Sequence, residues 1–195
     1  MSTPDRERPR ARVAEGRRNR QTLIVAAAEA FASGDERVSL DRIAKDAGVG
    51  IGTLYRHFPT REALVEAVYY DQLERLRVGA QELLSAHPPA EALRLWMRMF
   101  ADWALTKHGM VETLRSIVSS GSLTHSQMRG ELVSVLRSFL DAGTAAGDIR
   151  PDVDPADVGA TMAGILAVSA GPNQREQTIR LLNLLMDGLR PPAAG

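Results

Sequence analysis

The chain is expected to be all-α, with a small three-helix head joined by one long helix to a larger helical body. Apolar residues recur at three- and four-residue steps through most of the 195 residues, and nothing alternates long enough to make a strand. Connectors between the periodic runs are short and marked by glycine or proline, at Gly34, Gly48, Pro59, Pro88-Pro89, Gly109, Gly121, Gly147 to Pro155 and Gly171-Pro172. A hydrophobic content of 44% gives such helices a core to share.

The first sixteen residues are expected to be a disordered basic arm, because Pro4, Pro9 and the lack of any apolar period before Gln21 leave nothing to bury. Seven arginines from Arg6 to Arg20 face only Asp5, Glu7 and Glu15, which suits either a solubilising tail or an arm tracking phosphates or a minor groove. Although the whole chain is neutral, residues 1–60 hold 11 Arg/Lys against 8 Asp/Glu. The head is expected over residues 17–62. Its first helix is an alanine-rich run ending at Ala30-Phe31. Leu40, Ile43, Ala44 and Ala47 then share one face of a short helix that Ser39 can cap. Gly48 tolerates the positive φ of a helix end and turns the chain into a second short helix from about Gly50 to Phe58. Two short helices joined by a tight glycine turn make a helix-turn-helix.

In the second helix Val49, Leu54 and Phe58 share the face that should pack on the first. Gly50, Ile51, Gly52, Thr53, Tyr55, Arg56 and His57 are left toward the outside or its edges. Such a face suits the major groove of double-stranded DNA. Thr53 and Tyr55 carry hydroxyls, His57 a ring N–H, and Arg56 and Arg61 cations, all suited to phosphate oxygens. Gly52 lets the backbone approach closely, and Ile51 and the Thr53 methyl match a thymine methyl. The run GVGIG also suggests a nucleotide-binding turn. That reading fails on context: the preceding SLDRIAKDA is helical, the spacing is not GxGxxG, and no Lys-Ser/Thr completes a P-loop.

From Arg20 to Tyr69 the chain resembles the DNA-binding domain of the TetR family of transcriptional repressors. The resemblance rests on Ala30-Phe31, Ile43-Ala44, Ala47-Gly48-Val49, Gly52 to Phe58, and Arg61-Glu62-Ala63-Leu64 opening the long helix. It implies that Gly52, Thr53, Tyr55 and His57 contact DNA and that Arg61 stands where a phosphate-binding lysine is usual. Gly50 replaces a frequent serine and Ile51 an often polar residue, which leaves the operator sequence open. The resemblance also implies a repressor, released from its operator by a small-molecule effector, and makes the long helix a lever between head and body.

That helix should run from a Thr60 cap to about Ala86, with Leu64, Val68, Leu73, Leu76, Leu83 and Leu84 inward. The body, residues 63–190, offers further helices near 90–107, 110–119, 125–146, 155–170 and 175–189, and residues 191–195 are expected as a disordered tail. Trp96, Phe100, Trp103 and Met110 are the candidate effector-binding residues, since aromatic faces hold apolar or cationic ligands; the same stripe also reads as plain core. Asp102, His108, Glu112 and Arg115 are candidate polar contacts.

On the last two helices, Ala156, Gly159, Ala160, Ala163, Gly164 and Ala167 allow close approach, while Ile179, Leu182, Leu185, Met186 and Leu189 form an apolar stripe. Pattern alone fits packing within one chain equally well; the resemblance implies a homodimer through these helices, and two heads on a two-fold axis demand a palindromic operator. No cofactor is implied. Cysteine is absent, which excludes disulfides and thiolate metal sites and fits a cytoplasmic protein. The longest nearly uncharged stretch, Val158 to Gln174, is too short to span a membrane. Two alternatives stand beside the main reading: a DNA-binding regulator without a small-molecule pocket, and a helical-bundle metalloenzyme. The second has little support, since His57, His87, His108 and His125 are scattered and no HExxH occurs.

Overall fold

A computed structural model describes residues 7–33, 38–108, 110–119, 125–168 and 175–192, and among these the regular structure is entirely helical. In chain order the helices are α1 (Glu7–Ala32), α2 (Leu40–Asp46), α3 (Ile51–His57), α4 (Arg61–Ala86), α5 (Pro89–His108), α6 (Val111–Ser119), α7 (His125–Ala146), α8 (Pro155–Val168) and α9 (Arg175–Gly188). Local chemistry sets their ends. The Ser39 hydroxyl accepts from the Arg42 N–H at 3.2 Å, the Thr60 hydroxyl from Ala63 N–H at 3.1 Å, and the Asp154 carboxylate from Ala156 N–H at 2.7 Å. Pro89 and Pro155 each stand first in their helices, where a missing N–H breaks no bond.

The expected disordered arm is corrected by α1, which starts at Glu7; residues 1–6 lie outside the described residues. Pro9 explains why the expectation fails. It falls third in the helix, within the first turn, whose N–H groups have no intrahelical acceptor, so proline is tolerated there. The Arg, Ala and Glu residues after it are good helix formers, and the helix they start runs unbroken into the alanine-rich segment. The expected boundaries at residues 17 and 63 therefore both fall inside helices. Of the expected tail, 191–192 are exposed and non-helical, and 193–195 lie outside the described residues.

Leu23, Ile24, Ala27 and Phe31 of α1 are buried with Ile43 and Ala44 of α2, Leu54 and Phe58 at α3, and Leu64, Val65 and Val68 of α4. This is the head. Its core continues without a break into the body, where α5 packs on α1, α4, α7 and α9, and α8 lies against α7 and α9. On α4 the expected inner residues Leu64, Val68 and Leu76 are fully buried, while Leu73, Leu83 and Leu84 pack at the core's margin. The Leu189 carbonyl accepts from Arg150 N–H at 2.9 Å, tying the end of α9 to the connector after α7.

Between α2 and α3 the chain turns through a Schellman motif. Val49 N–H donates to the Ala44 carbonyl at 2.9 Å and Gly48 N–H to Lys45 at 3.0 Å, with Gly48 at φ 67°. A side chain is strained there even though nothing crowds the site. Gly48→Ala should therefore destabilise the protein by about 1–2 kcal/mol, seen as a lower urea midpoint with an unchanged m-value.

Candidate nucleic-acid interface

The seven residues of α3 divide sharply by environment. Leu54 and Phe58 are buried against α1 and α2, and Val49 and Ile51 pack at the margin of the same core. Gly52, Tyr55 and Arg56, spaced as neighbours on one helix face, are exposed, and Tyr55 keeps 49% of its surface open. Gly50 is exposed just ahead of them, and Thr53 and His57, four residues apart, are half-buried together along one edge. The structure thus brings six of the expected contact residues to one surface. Ile51 stands apart from them, half-buried against the core, which leaves less of it for a thymine methyl.

Arg61 also stands apart. Its guanidinium donates to the Val38 carbonyl at 2.6 Å and lies 5.3 Å from the centre of the Phe31 ring, so it ties the start of α4 to α1 and to the segment entering α2. Its charge is plain from residue type, but this inward engagement depends on residues 23 and 30 positions away. Two neighbours of α3 are likewise invisible in the motif. Arg20 of α1 lies over the Phe58 ring at 5.2 Å, and a Cβ placed on Gly16 would sit 4.0 Å from the His57 ring. Their only trace in the sequence is the four-residue step from Gly16 to Arg20, which gains meaning once α1 is known to extend so far forward.

The head is joined to the lever by polar contacts as well. Gln21 donates to Asp71 at 2.8 Å, and Arg75 donates to the other oxygen of that carboxylate at 2.8 Å. In the body, Trp96 stacks on Phe100 at 5.6 Å, Phe100 meets Trp103 at 5.0 Å, and Trp103 meets Tyr69 at 6.1 Å. All four rings and Met110 are buried. Burial, reinforced by the nearby Glu131 carboxylate, holds the Tyr69 hydroxyl well above its ordinary pKa and therefore neutral. Of the candidate polar contacts, Asp102 pairs with Arg175 at 3.0 Å and Glu112 with Arg115 at 2.8 Å, all on exposed surface; the His108 side chain lies outside the described residues.

The expected dimer stripe on α9 is corrected in part. Leu182, Met186 and Leu189 are buried within the chain itself, because α9 packs on α5, and Gly159 of α8 packs against Leu136 of α7. What stays exposed is a second set: Ala156, Ala160, Ala163, Gly164, Ala167 and Val168 on α8, with Leu184 on α9. Val168 and Leu184 expose 70% and 66% of their surface, high for residues of this kind. No helix among the described residues is long and apolar enough to cross a membrane.

A three-helix head whose second and third helices form a helix-turn-helix, carried on a long helix from an all-α body, is the architecture of a DNA-binding regulator. Residues 23–68 match the bacterial regulatory proteins of the tetR family, and residues 88–191 match the C-terminal domain of SbtR-like transcriptional regulators. A TetR transcriptional regulator from Streptomyces coelicolor is 47% identical in sequence, with 89% of this chain and 99% of that one superposed at a TM-score of 0.81. A structure solved for the molecular basis of control of antibiotic production by bacterial hormones is 25% identical, at a TM-score of 0.66 over 86% of this chain and 93% of its own. The HTH-type transcriptional regulatory protein RaaS of Mycobacterium tuberculosis is 27% identical over 75% of this chain, which spans just under two thirds, 65%, of that protein's length. The chain belongs to the TetR family: it is a DNA-binding transcriptional regulator and not an enzyme.

Gly52 offers a direct check on the exposed face. Nothing lies within 4 Å of a Cβ placed there and its φ is negative, so Gly52→Ala should raise stability by about 0.5–1 kcal/mol through helix propensity. The same methyl would hold the backbone off DNA, and affinity should fall roughly tenfold, about 1.4 kcal/mol. Calorimetry and DNA-binding titration on one preparation measure both, and a more stable variant with undiminished affinity would remove Gly52 from the interface.

Proposed function

We propose that the protein is a homodimeric cytoplasmic repressor that binds a palindromic double-stranded DNA operator and is released from it by a small-molecule effector. The exposed face of Gly52, Tyr55 and Arg56, edged by Thr53 and His57 and preceded by Gly50, carries this reading. Tyr55, Arg56, Thr53 and His57 supply donors to phosphates, Gly50 and Gly52 admit close backbone approach, and Ile51, half-buried against the core, offers only its exposed part to a thymine methyl. Arg61 spends one of its five N–H donors on Val38 and retains the others for a phosphate.

One recognition helix meets too few bases to select a site, and pairing through the exposed α8 and α9 surface supplies the second. The small residues there allow close helix approach, while Val168 and Leu184 gain from being covered. Two heads about 34 Å apart would engage successive major grooves. An effector that alters this spacing by a few ångströms would lose phosphate contacts on one half-site. Trp96, Phe100, Trp103 and Met110 are the proposed effector wall, supported by their position between α4 and the helices behind it and by the hormone-linked relative.

One observation favours the second reading, a regulator without a small-molecule pocket. The four candidate wall residues are at least nine-tenths buried, and the three aromatic ones pack on one another or on Tyr69 and Phe139, as core residues do. A thermal-shift screen separates the two readings. A compound present at 100 times its Kd stabilises the native state by about 2.7 kcal/mol, and its effect should vanish in Phe100→Leu while operator binding survives; stabilisation by no compound class supports the second reading.

Selection of bound sequences from random duplex DNA tests the core of the proposal, with a palindrome as the expected product and failure to enrich any sequence at low salt as the refuting one. Leu184→Glu, which places a charge on the proposed dimer surface without entering the chain's core, should give a folded monomer by light scattering and abolish selection of the palindrome.

A further inference from the structure

We propose that Met99 is a redox-modification site, at which a peroxide-class oxidant converts the thioether to a sulfoxide, loosens the crossing of α4 and α5 and weakens DNA binding. The inference rests on the DNA-binding role alone and needs no small-molecule pocket. Met97, Met110, Met162 and Met186 are at most 2% exposed, whereas Met99 exposes 36% of its surface. The side chains of Met1 and Met128 lie outside the described residues. Met97 and Met99 stand two positions apart on α5 and so face different surroundings, one the core and the other solvent. An oxidant in water reaches an exposed thioether and not one enclosed by the core, which singles out Met99.

What lies under the exposed thioether gives its modification a consequence. A Cβ placed on Gly79 of α4 would stand 2.6 Å from the Met99 methyl and 3.2 Å from its sulfur, so the end of Met99 fills the space that a side chain at position 79 would take. Gly79 is itself buried, in the interior of α4. A glycine there is a weak point of the helix, because it loses the most backbone freedom on folding. About one turn earlier on each helix, Trp96 donates to the Leu76 carbonyl at 2.8 Å, so Met99 and Gly79 belong to the crossing that holds the lever to the body. Gly79 stands about 27 Å along α4 from Arg61 at 1.5 Å per residue, which puts Met99 well behind the recognition helix. Its effect on affinity is exerted through helix packing and not through a DNA contact.

The Met99 sulfur attacks one oxygen of hydrogen peroxide. An S–O bond forms as the O–O bond breaks, sulfur gives up two electrons, and the second oxygen leaves with both protons as water. The product replaces a soft apolar group with a strongly polar S=O. Inside the notch that oxygen would face α4 backbone whose N–H groups are already bonded within the helix, so it finds no donor there. The sulfoxide therefore turns out to water, and Gly79 loses its cover. A methionine sulfoxide reductase returns the thioether and with it the contact.

To test this, the full chain is treated with hydrogen peroxide, the oxidised positions are located by peptide mass mapping, and affinity is measured for the selected operator and for a random duplex at low salt. Met99 should gain its oxygen roughly ten times faster than the four buried methionines. Affinity should then fall roughly fivefold, the lower end of coupling between distant sites, and recover on treatment with methionine sulfoxide reductases. Met99→Leu keeps the volume and lacks the sulfur; it should bind like the untreated protein and be indifferent to peroxide. Gly79→Ala supplies a check without oxidant, since its methyl displaces the end of Met99 while favouring the helix. That variant should keep its helicity by circular dichroism and lose affinity by a similar factor. Oxidation of the buried methionines ahead of Met99, undiminished affinity after Met99 is oxidised, an equal loss in treated Met99→Leu, or undiminished affinity in Gly79→Ala would each overturn the proposal. If no operator is selected, the random duplex still reads the effect of Met99, so the operator reading and this one fail separately.

Discussion

Trp96 is completely buried, stacks on Phe100, touches Phe139 and donates its indole N–H to the Leu76 carbonyl at 2.8 Å, so α4, α5 and α7 meet at one side chain. Around it Leu93, Met97 and Phe100 complete the seam that α5 presents to its neighbours. A buried aromatic of this size contributes several kcal/mol by area, and its one polar atom is satisfied, so the seam combines burial with a fixed orientation. The same helix packs on α1 in front and on α9 behind. The head, the lever and the rear surface are thereby held by one core.

This continuity bears on how the molecule can act. There is no polar linker between the DNA-binding head and the body; α4 is buried along its front half in the head's core and along its rear half against α5. The contacts of Asp71 with Gln21 and Arg75 fasten the joint on its wet side. A close-packed interior transmits displacement because it cannot be compressed. α4 and α1 are the elements through which the body and the head are packed together. At the front, Arg61 clamps α4 to Phe31 and Val38, which belong to the same buried cluster as Leu54 and Phe58.

The elements, their caps and the glycine turn are legible from residues close together in the chain. Ser39, Thr60 and Asp154 cap their helices by reaching an N–H two or three residues ahead, and Gly48 turns the chain because of its own φ. Residue type is enough there. The period of α3 likewise places Leu54 and Phe58 inward and leaves Gly52, Tyr55 and Arg56 outside. The start of α1 is the exception, because Pro9 counts as a breaker by type alone, whereas its place in the first turn means that it breaks nothing.

Partner choice is a different matter. The charge of Arg61 is written in the sequence, but its engagement by Val38 and Phe31 exists only when α1 and α4 come together. The stripe on α9 is apolar whichever way it faces; packing on α5 decided that Leu182, Met186 and Leu189 belong to the chain's own core and left Leu184 and the small residues of α8 outside. Gly16 and Arg20 acquired a relation to His57 and Phe58 in the same way. By itself the sequence determined which segments after the start of α1 are helical, where most of them stop and where the glycine turn between α2 and α3 falls, since those depend on bonds within a turn or two. The tertiary structure alone decided which face of each helix is spent on the core and which remains for a partner, because that depends on contacts between residues tens of positions apart.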